Sequence, residues 1–174
     1  IISYVLQDDV DLGGDTYPIA MGNLGEIMVW SERHGFGLLS ADMRTLEMPY
    51  ILEREPPHAD TQIIDMVLQT PKELLEVYDQ DQAPVHDRLL ARLGSLPIGA
   101  IYGTTPAPAP PGGTPVEHYV VADAIDWLEA VYTAVRVSLI NWDFVSEDQV
   151  YMRSLRIVGD LWPAEGPHAA RRKL

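Results

Sequence analysis

Hydrophobic and polar positions change their spacing along the chain, and the first spacing, over residues 17–52, is that of β-strands. In the run EIMVWS (26–31) successive side chains alternate between two faces, as they do on a strand. Turns at 22–23 and 33–35 bound this run, because glycine and asparagine reach the positive φ angles that tight turns need. We therefore expect a small antiparallel β-meander within an N-terminal unit of residues 1–57, which ends at a double proline.

Beyond residue 58, apolar residues recur at the three- and four-residue spacing of an amphipathic helix. The run Thr70–Glu73 is a capping box with proline at the first helical position, and Gly94 can end a helix. Helices are predicted over 60–68, 71–78, 84–93 and 121–137, with a last amphipathic stretch after Ser146.

These patterns together predict an α+β fold, in which the small antiparallel β-meander is followed by a mainly helical module over residues 58–163. Inside that module, residues 104–115 (TTPAPAPPGGTP) are predicted to be a proline-rich loop, because proline removes hydrogen-bond donors and fixes φ. Residues 164–174 are predicted to be a flexible tail.

Charge limits the kinds of partner. Acidic residues outnumber basic ones by 26 to 12, which gives a net charge of −14. Such a surface repels nucleic acid and anionic membranes, whereas it attracts a basic protein. No apolar run reaches the ~18 residues of a membrane span. The absence of cysteine excludes disulfides and fits a reducing cytoplasm, so we expect a cytoplasmic protein that binds a basic protein.

The sequence offers no assembled catalytic site. Its five histidines are scattered, with no pair at the spacing of metal ligands. It contains neither a nucleophile elbow nor a glycine-rich phosphate loop. We therefore expect no enzymatic activity and no cofactor, and an enzyme with an unfamiliar active site remains an alternative.

An acidic loop near the N-terminus supplies the first candidate partner-binding residues, which are Asp8, Asp9, Asp11 and Asp15. Clustered aspartates also suit calcium, but this loop lacks the glycine placement and the later glutamate of an EF-hand. We therefore expect no metal there and assign the loop to the rim of a protein interface.

Two of the four tryptophans are further candidates. Trp142 and Trp162 lie near predicted loops, where partly exposed aromatic side chains often anchor an interface. Trp30, on a predicted strand, and Trp127, in a predicted helix, are expected in the core because aromatic side chains bury large areas.

Two segments carry a family resemblance. Residues 22–35 (GNLGEIMVWSERHG) resemble the hairpin of GAD-like domain proteins. Residues 86–128 are similar to the module that follows it in that family. The matching positions there are Leu90, Leu93-Gly94, Leu96-Pro97, Ile101-Tyr102-Gly103, Pro106, Ala107, Ala109 and Gly112-Gly113.

Members of this family are immunity proteins that are found together with type VI secretion effectors, which are commonly DNases. The resemblance therefore implies a cytoplasmic antitoxin that binds its cognate effector, a basic DNase, and protects the producing cell. It also implies that residues 1–57 contain the C-terminal part of a GAD-like region. The alternatives are a generic protein-binding module without a toxin partner and the enzyme mentioned above.

Overall fold

The computed structural model describes residues 2–53, 63–64, 76–108, 113–146 and 149–160, with the main chain alone described at residue 4, over 142–146 and over 149–150. The strands of this part are β1 (Thr16–Met21), β2 (Ile27–Ser31), β3 (Gly35–Ser40), β4 (Thr45–Glu47), β5 (Ala100–Thr104), β6 (Tyr119–Asp123), β7 (Ser138–Ser146) and β8 (Gln149–Ile157). Its α-helices are α1 (Ile2–Leu6), α2 (His86–Leu93) and α3 (Ala124–Ala134), and Val116–His118 form a turn of 3₁₀ helix.

Six strands form one sheet, in the order β1-β2-β3-β4-β7-β8. Its neighbouring strands are antiparallel except β4 and β7, which run parallel with Thr45 opposite Ser138 and Glu47 opposite Ile140. Strands β5 and β6 form a separate antiparallel pair. The N-terminal meander and the C-terminal hairpin are therefore parts of one sheet, although they lie far apart in the sequence.

The α+β prediction with a mainly helical module over 58–163 is wrong, because the fold is mostly β. In the described part of that range, four strands accompany helices α2 and α3. The stretch after Ser146, predicted to be helical, is β8 and pairs with β7. Its valine, tyrosine and isoleucine residues suit a strand as well as a helix face. The stretch forms a strand because it pairs with β7, and β7 is held in place by its pairing with β4.

The long helix predicted over 121–137 is also shorter in the structure. Strand β6 takes up its first residues, and α3 begins at Ala124. Asp123 caps this helix, because its carboxylate accepts hydrogen bonds from the main-chain N–H groups of Ile125 and Asp126, at 2.9 and 3.1 Å.

Other local predictions agree with the structure. The meander predicted over 17–52 is present as β1 to β4. Helix α2 lies inside the predicted 84–93 and ends at Gly94, whose φ is 80°. The predicted helices over 60–68 and 71–78 lie largely outside the described residues, as do the tail over 164–174 and part of the proline-rich loop over 104–115.

The main core lies between one face of the six-stranded sheet and helix α3. The sheet contributes Ile27, Val29, Leu39, Leu46 and Leu139, the helix contributes Leu128, Val131 and Tyr132, and the N-terminal segment contributes Ile2, Leu6 and Leu12. A second cluster joins α2 to β5 and β6 through Leu24, Val85, Leu89, Tyr102, Val116 and Tyr119. Met28, Trp30 and Phe36 form a third cluster on the opposite face of the meander.

A buried ion pair ties the N-terminal loop to the end of β8. The carboxylate of Asp9 accepts two hydrogen bonds from the guanidinium of Arg156, one of them at 2.8 Å, and a third from Gly159 N–H at 2.9 Å. The main-chain N–H groups of Asp11 and Leu12 donate to the same carboxylate at 3.1 Å. Burial raises the pKa of Asp9, but these hydrogen bonds outweigh burial and hold the pKa below its ordinary value.

Replacing Asp9 by asparagine should destabilise the protein by up to about 3–5 kcal/mol, because the buried guanidinium of Arg156 would keep only its longer ion pair with Asp11, at 3.6 Å. The measurement is the free energy of unfolding in denaturant near neutral pH. The loss should shrink in acid, because the wild-type stabilisation disappears as pH falls through the lowered pKa of Asp9. Asp8→Asn, at the exposed neighbouring position, should stay within about 0.5 kcal/mol of wild type. Equal stabilities of the two variants would contradict the role given to Asp9.

Candidate partner-binding site

The four aspartates of the predicted acidic loop have different environments. Asp8 is exposed and Asp11 is half-buried, whereas Asp9 lies in the interior. Asp15, directly before β1, pairs through Oδ2 with Nε of Arg33, in the turn between β2 and β3, at 2.5 Å. A partner can therefore reach the carboxylate of Asp8 directly, while Asp9 serves to hold the loop in place.

The two candidate tryptophans fall in the C-terminal part of the chain. Trp142 lies in β7, opposite Met152 of β8, and the structure describes its main chain only. Trp162 lies outside the described residues. Of the two tryptophans expected in the core, Trp30 is buried, whereas Trp127 is partly exposed.

Two glycines allow the indole ring of Trp127 to lie against the main chain. A β-carbon added at Gly103, in β5, would lie 2.6 Å from Cδ1 of the ring, and one added at Gly25 would lie 3.0 Å from Cζ3. The ring can therefore keep its place only if position 103 is glycine. The indole Nε1–H also donates to the main-chain oxygen of Thr104 at 3.1 Å, which fixes the ring's orientation.

A narrow cleft, here called the Trp127 cleft, opens beside this ring. The aromatic rings of Tyr102, Tyr119 and Trp127 line it together with aliphatic side chains, and its polar groups come from Asp42 and Thr104. The space between these side chains is about 320 Å³, part of it open to solvent. The enclosed part of that space has room for about one water molecule.

Carboxylates give the surroundings of the cleft a negative charge. Burial raises the pKa of Glu26 to about 7, against two main-chain hydrogen bonds that lower it, and the charges of Asp42 and Glu76 raise it further. Burial likewise raises the pKa of Tyr119, and the charges of Asp42 and Glu26 add to this effect. The carboxyl groups of Asp42, Glu26 and Asp79 therefore act on the hydroxyl of Tyr119.

The lining of the cleft carries acidic and hydroxyl groups. Its described lining combines the carboxyl group of Asp42 with the hydroxyl groups of Thr104, Tyr102 and Tyr119, but it holds no histidine, lysine or serine that could act as base or nucleophile. Within the described ranges, no three histidine, aspartate or glutamate side chains are placed to ligate a metal ion. No helix of the described part combines the length and the apolarity needed to cross a membrane.

Exposed apolar side chains lie at the same end of α3. The side chain of Ile125, the second residue of α3, is 59% exposed. Ile98 is fully exposed, and the next residue, Gly99, accepts a hydrogen bond from Ala124 N–H at 2.9 Å. Val121 of β6 is also exposed. Ile98, Val121 and Ile125 form what we call the α3 patch.

Sequence reasoning missed the Trp127 cleft because its lining comes from stretches that lie far apart in the chain. The polar and aromatic lining comes from Asp42, residues 102–104, Tyr119 and Trp127. One signal was available, since an isolated glycine within a strand often marks the close approach of another group. Gly103 is such a glycine.

Comparison with known proteins supports the fold. No protein-family model matches the sequence, and no curated protein matches it. Among solved structures, the crystal structure of Atu4351 from Agrobacterium tumefaciens superposes with a TM-score of 0.81 at 20% sequence identity. The match covers 93% of this chain and 72% of that chain. At this level of identity, the likeness establishes a shared fold.

Replacing Glu26 by glutamine should stabilise the protein above neutral pH. The folded-state pKa of Glu26 is about 7, against 4.5 for an ordinary glutamate, so the unfolded chain loses this proton first as pH rises. Wild-type stability should therefore fall between these two values and stay level above them. The gain on substitution should be near zero at about pH 4 and reach up to about 3 kcal/mol at about pH 8.

Thermal or denaturant unfolding of both proteins across this pH range measures the gain. Glu32→Gln is the matched control, because Glu32 is exposed in the turn after β2 and its substitution should give no pH-dependent gain. A constant difference between Glu26→Gln and wild type at every pH would contradict the assignment.

Proposed function

We propose that this protein is an immunity protein of the cytoplasm, which binds a type VI secretion nuclease effector and neutralises it in the producing cell. The protein acts by occupying the effector, and it catalyses no reaction of its own. Its partner is a basic DNase, because an enzyme that holds the phosphates of DNA carries positive charge where it does so.

The observation that carries the proposal is the meeting of the two family-like segments. Residues 22–35 form the turn before β2, then β2 and the start of β3, and residues 86–128 run from α2 into α3. They are joined where Tyr102 N–H donates to the main-chain oxygen of Asn23 at 2.8 Å, and where Gly25 lies against Trp127. The two segments on which the resemblance rests therefore pack against one another.

Surface charge supports a basic partner. Exposed carboxylates on the described surface include Asp8, Glu32, Asp42, Glu53, Asp81, Asp87, Glu117, Asp126 and Glu129. The arginines that are exposed there include Arg33 and Arg88, which are paired with Asp15 and Asp79. A partner of opposite charge would be drawn to such a surface, and its capture would slow as salt is added.

The α3 patch supplies the exposed apolar side chains that a tight complex needs in addition to opposite charge. A tight complex buries about 1,600 Å² and depends on a few apolar or aromatic anchors inside a polar rim. Ile98, Val121 and Ile125 are apolar and exposed, and Asp126 lies beside Ile125 in the sequence. This combination suits an interface in which acidic groups steer the partner and apolar groups hold it.

The purified protein should abolish the DNase activity of the effector encoded beside its gene, at near-equal stoichiometry and with a dissociation constant that is nanomolar or lower, about −12 kcal/mol. A DNA-cleavage assay titrated with the protein measures this. Repeating the titration at a higher DNA concentration should shift the curve, because the acidic inhibitor and DNA would compete for one basic surface.

The two parts of this prediction fail separately. Inhibition that is insensitive to DNA would overturn competition for the DNA-binding surface and leave the immunity role standing. No binding to, and no inhibition of, the neighbouring effector would overturn the immunity role and favour a generic binding module.

A further inference from the structure

The outer edge of β8 is open. Among the strands that the structure describes, β8 is the last of the six-stranded sheet and pairs with β7 alone. All four side chains of residues 151–154 are exposed, and because neighbouring side chains on a strand point to opposite faces, the described residues cover neither face there. Strand β4 pairs only with the first three residues of β7, so the described sheet is reduced to two strands beyond Ile140. A two-stranded ribbon is marginally stable in water, and a further strand along β8 would stabilise it.

The opposite edge of the sheet is closed to such pairing. In β1, Pro18 has no N–H group to donate, and the pairing with β2 shifts between Pro18 and Ala20, which marks a β-bulge. Prolines and bulges are features with which natural sheets block an edge. Strand β8 contains no proline, and its residues 150–154 pair with β7 without a shift in register. Of the two edges, β8 therefore presents the regular main chain that another strand can join.

This difference between the edges decides the kind of assembly. If β8 of one copy could pair with β1 of the next, copies of the chain could be added without end. Because Pro18 and the bulge block β1, the pairing that is left joins β8 to β8 of a second copy. Such a pair is related by a two-fold axis, so its strands are antiparallel and the assembly closes at two copies.

The charges of β8 select the register of that pairing. Strand β8 carries Arg153 and Arg156 and no acidic residue, so the carboxylates that would repel a second copy lie elsewhere in the chain. A two-fold axis at Met152 keeps the pairing inside the regular run and sets each Arg153 opposite Tyr151 of the other copy. A guanidinium and an aromatic ring in these positions attract each other, whereas an axis at Arg153 would set two like charges opposite one another.

We propose that two copies of this chain pair antiparallel through their β8 edges, about a two-fold axis at Met152, so that the two six-stranded sheets become continuous. Each copy closes the open edge of the other, which removes a site at which unrelated strands could be added. The α3 patch contains no residue of β8, so this inference goes beyond the immunity role and does not depend on it.

A single introduced thiol tests the register, because the chain contains no cysteine. Met152→Cys should form a covalent dimer under a mild oxidant, since directly opposed residues have Cα atoms about 4.5–5.5 Å apart, within the reach of a disulfide. Ser154→Cys, at a position that is also exposed, is the matched control. In this register Ser154 lies opposite Val150, so it stands roughly 13 Å along the strand from its counterpart, too far to bridge. Equal cross-linking of the two variants would overturn the register.

Sedimentation of the wild-type protein tests dimer formation itself. A strand pair of this length is a small interface, so the mass should rise from monomer to dimer at about 10–100 µM protein. Salt at about 0.15 M screens the repulsion between two acidic molecules. Met152→Lys should raise the dissociation constant about tenfold or more, because it sets two ammonium groups opposite each other. Met43→Lys, at an exposed position between β3 and β4, should dimerise as the wild type does.

Each other outcome counts against the inference. A wild-type protein that stays monomeric up to its solubility limit would overturn it, and another segment of the same chain or the effector would then be the candidate to cover β8. A dimer that Met152→Lys leaves unchanged would place the interface elsewhere. Circular dichroism of both lysine variants checks that they are folded, and the cysteine variants test the same contact without a new charge. Because the effector is absent from these experiments, their failure leaves the DNA-cleavage titration to decide the immunity role.

Discussion

The contact between the Trp127 indole and the bare main chain of Gly103 is the constraint on which the candidate site depends. Trp127 belongs to α3, and Leu128 and Val131 of the same helix lie in the main core, so the position of the Trp127 ring helps to set where the helix lies. The same ring forms a wall of the cleft. A side chain larger than hydrogen at position 103 would displace the ring, and with it the wall and the helix start that carries Ile125.

Two interactions between distant parts of the sequence hold the six-stranded sheet and the N-terminal loop together. The parallel pairing of β4 with β7 joins the meander to the C-terminal hairpin. The buried pair of Asp9 and Arg156 fastens the N-terminal loop to the end of the same hairpin. Asp9 therefore contributes to stability, whereas its exposed neighbour Asp8 is available to a partner. Neighbouring aspartates that look alike in the sequence therefore have different roles in the fold: Asp9 is buried and stabilises the protein, and Asp8 lies on the surface.

The sequence predicted local features well and pairing between distant strands poorly. The turns around β2 and the glycine stop after α2 follow from residues close to each other, and they were anticipated. The prediction of a helix after Ser146 is wrong because this stretch pairs with β7 as β8. Strand β7 pairs in turn with β4, which lies far away in the sequence, so the local pattern does not contain this information. The helix predicted over 121–137 begins later in the structure, because residues 119–123 pair with β5 as β6 and Asp123 caps α3. The Trp127 cleft depends on such distant contacts, and Gly103 is the one local signal of it.

We propose that this protein captures a basic nuclease with the surface formed by β5, β6 and the start of α3. Amide hydrogen exchange of the protein, alone and with a catalytically inactive form of the neighbouring effector, tests this claim most directly. The account predicts that binding slows exchange over residues 98–104 and 119–129, with the largest effect around Trp127 and Ile125. Slower exchange confined to β7 and β8, with residues 98–129 unchanged in a complex that does form, would contradict it.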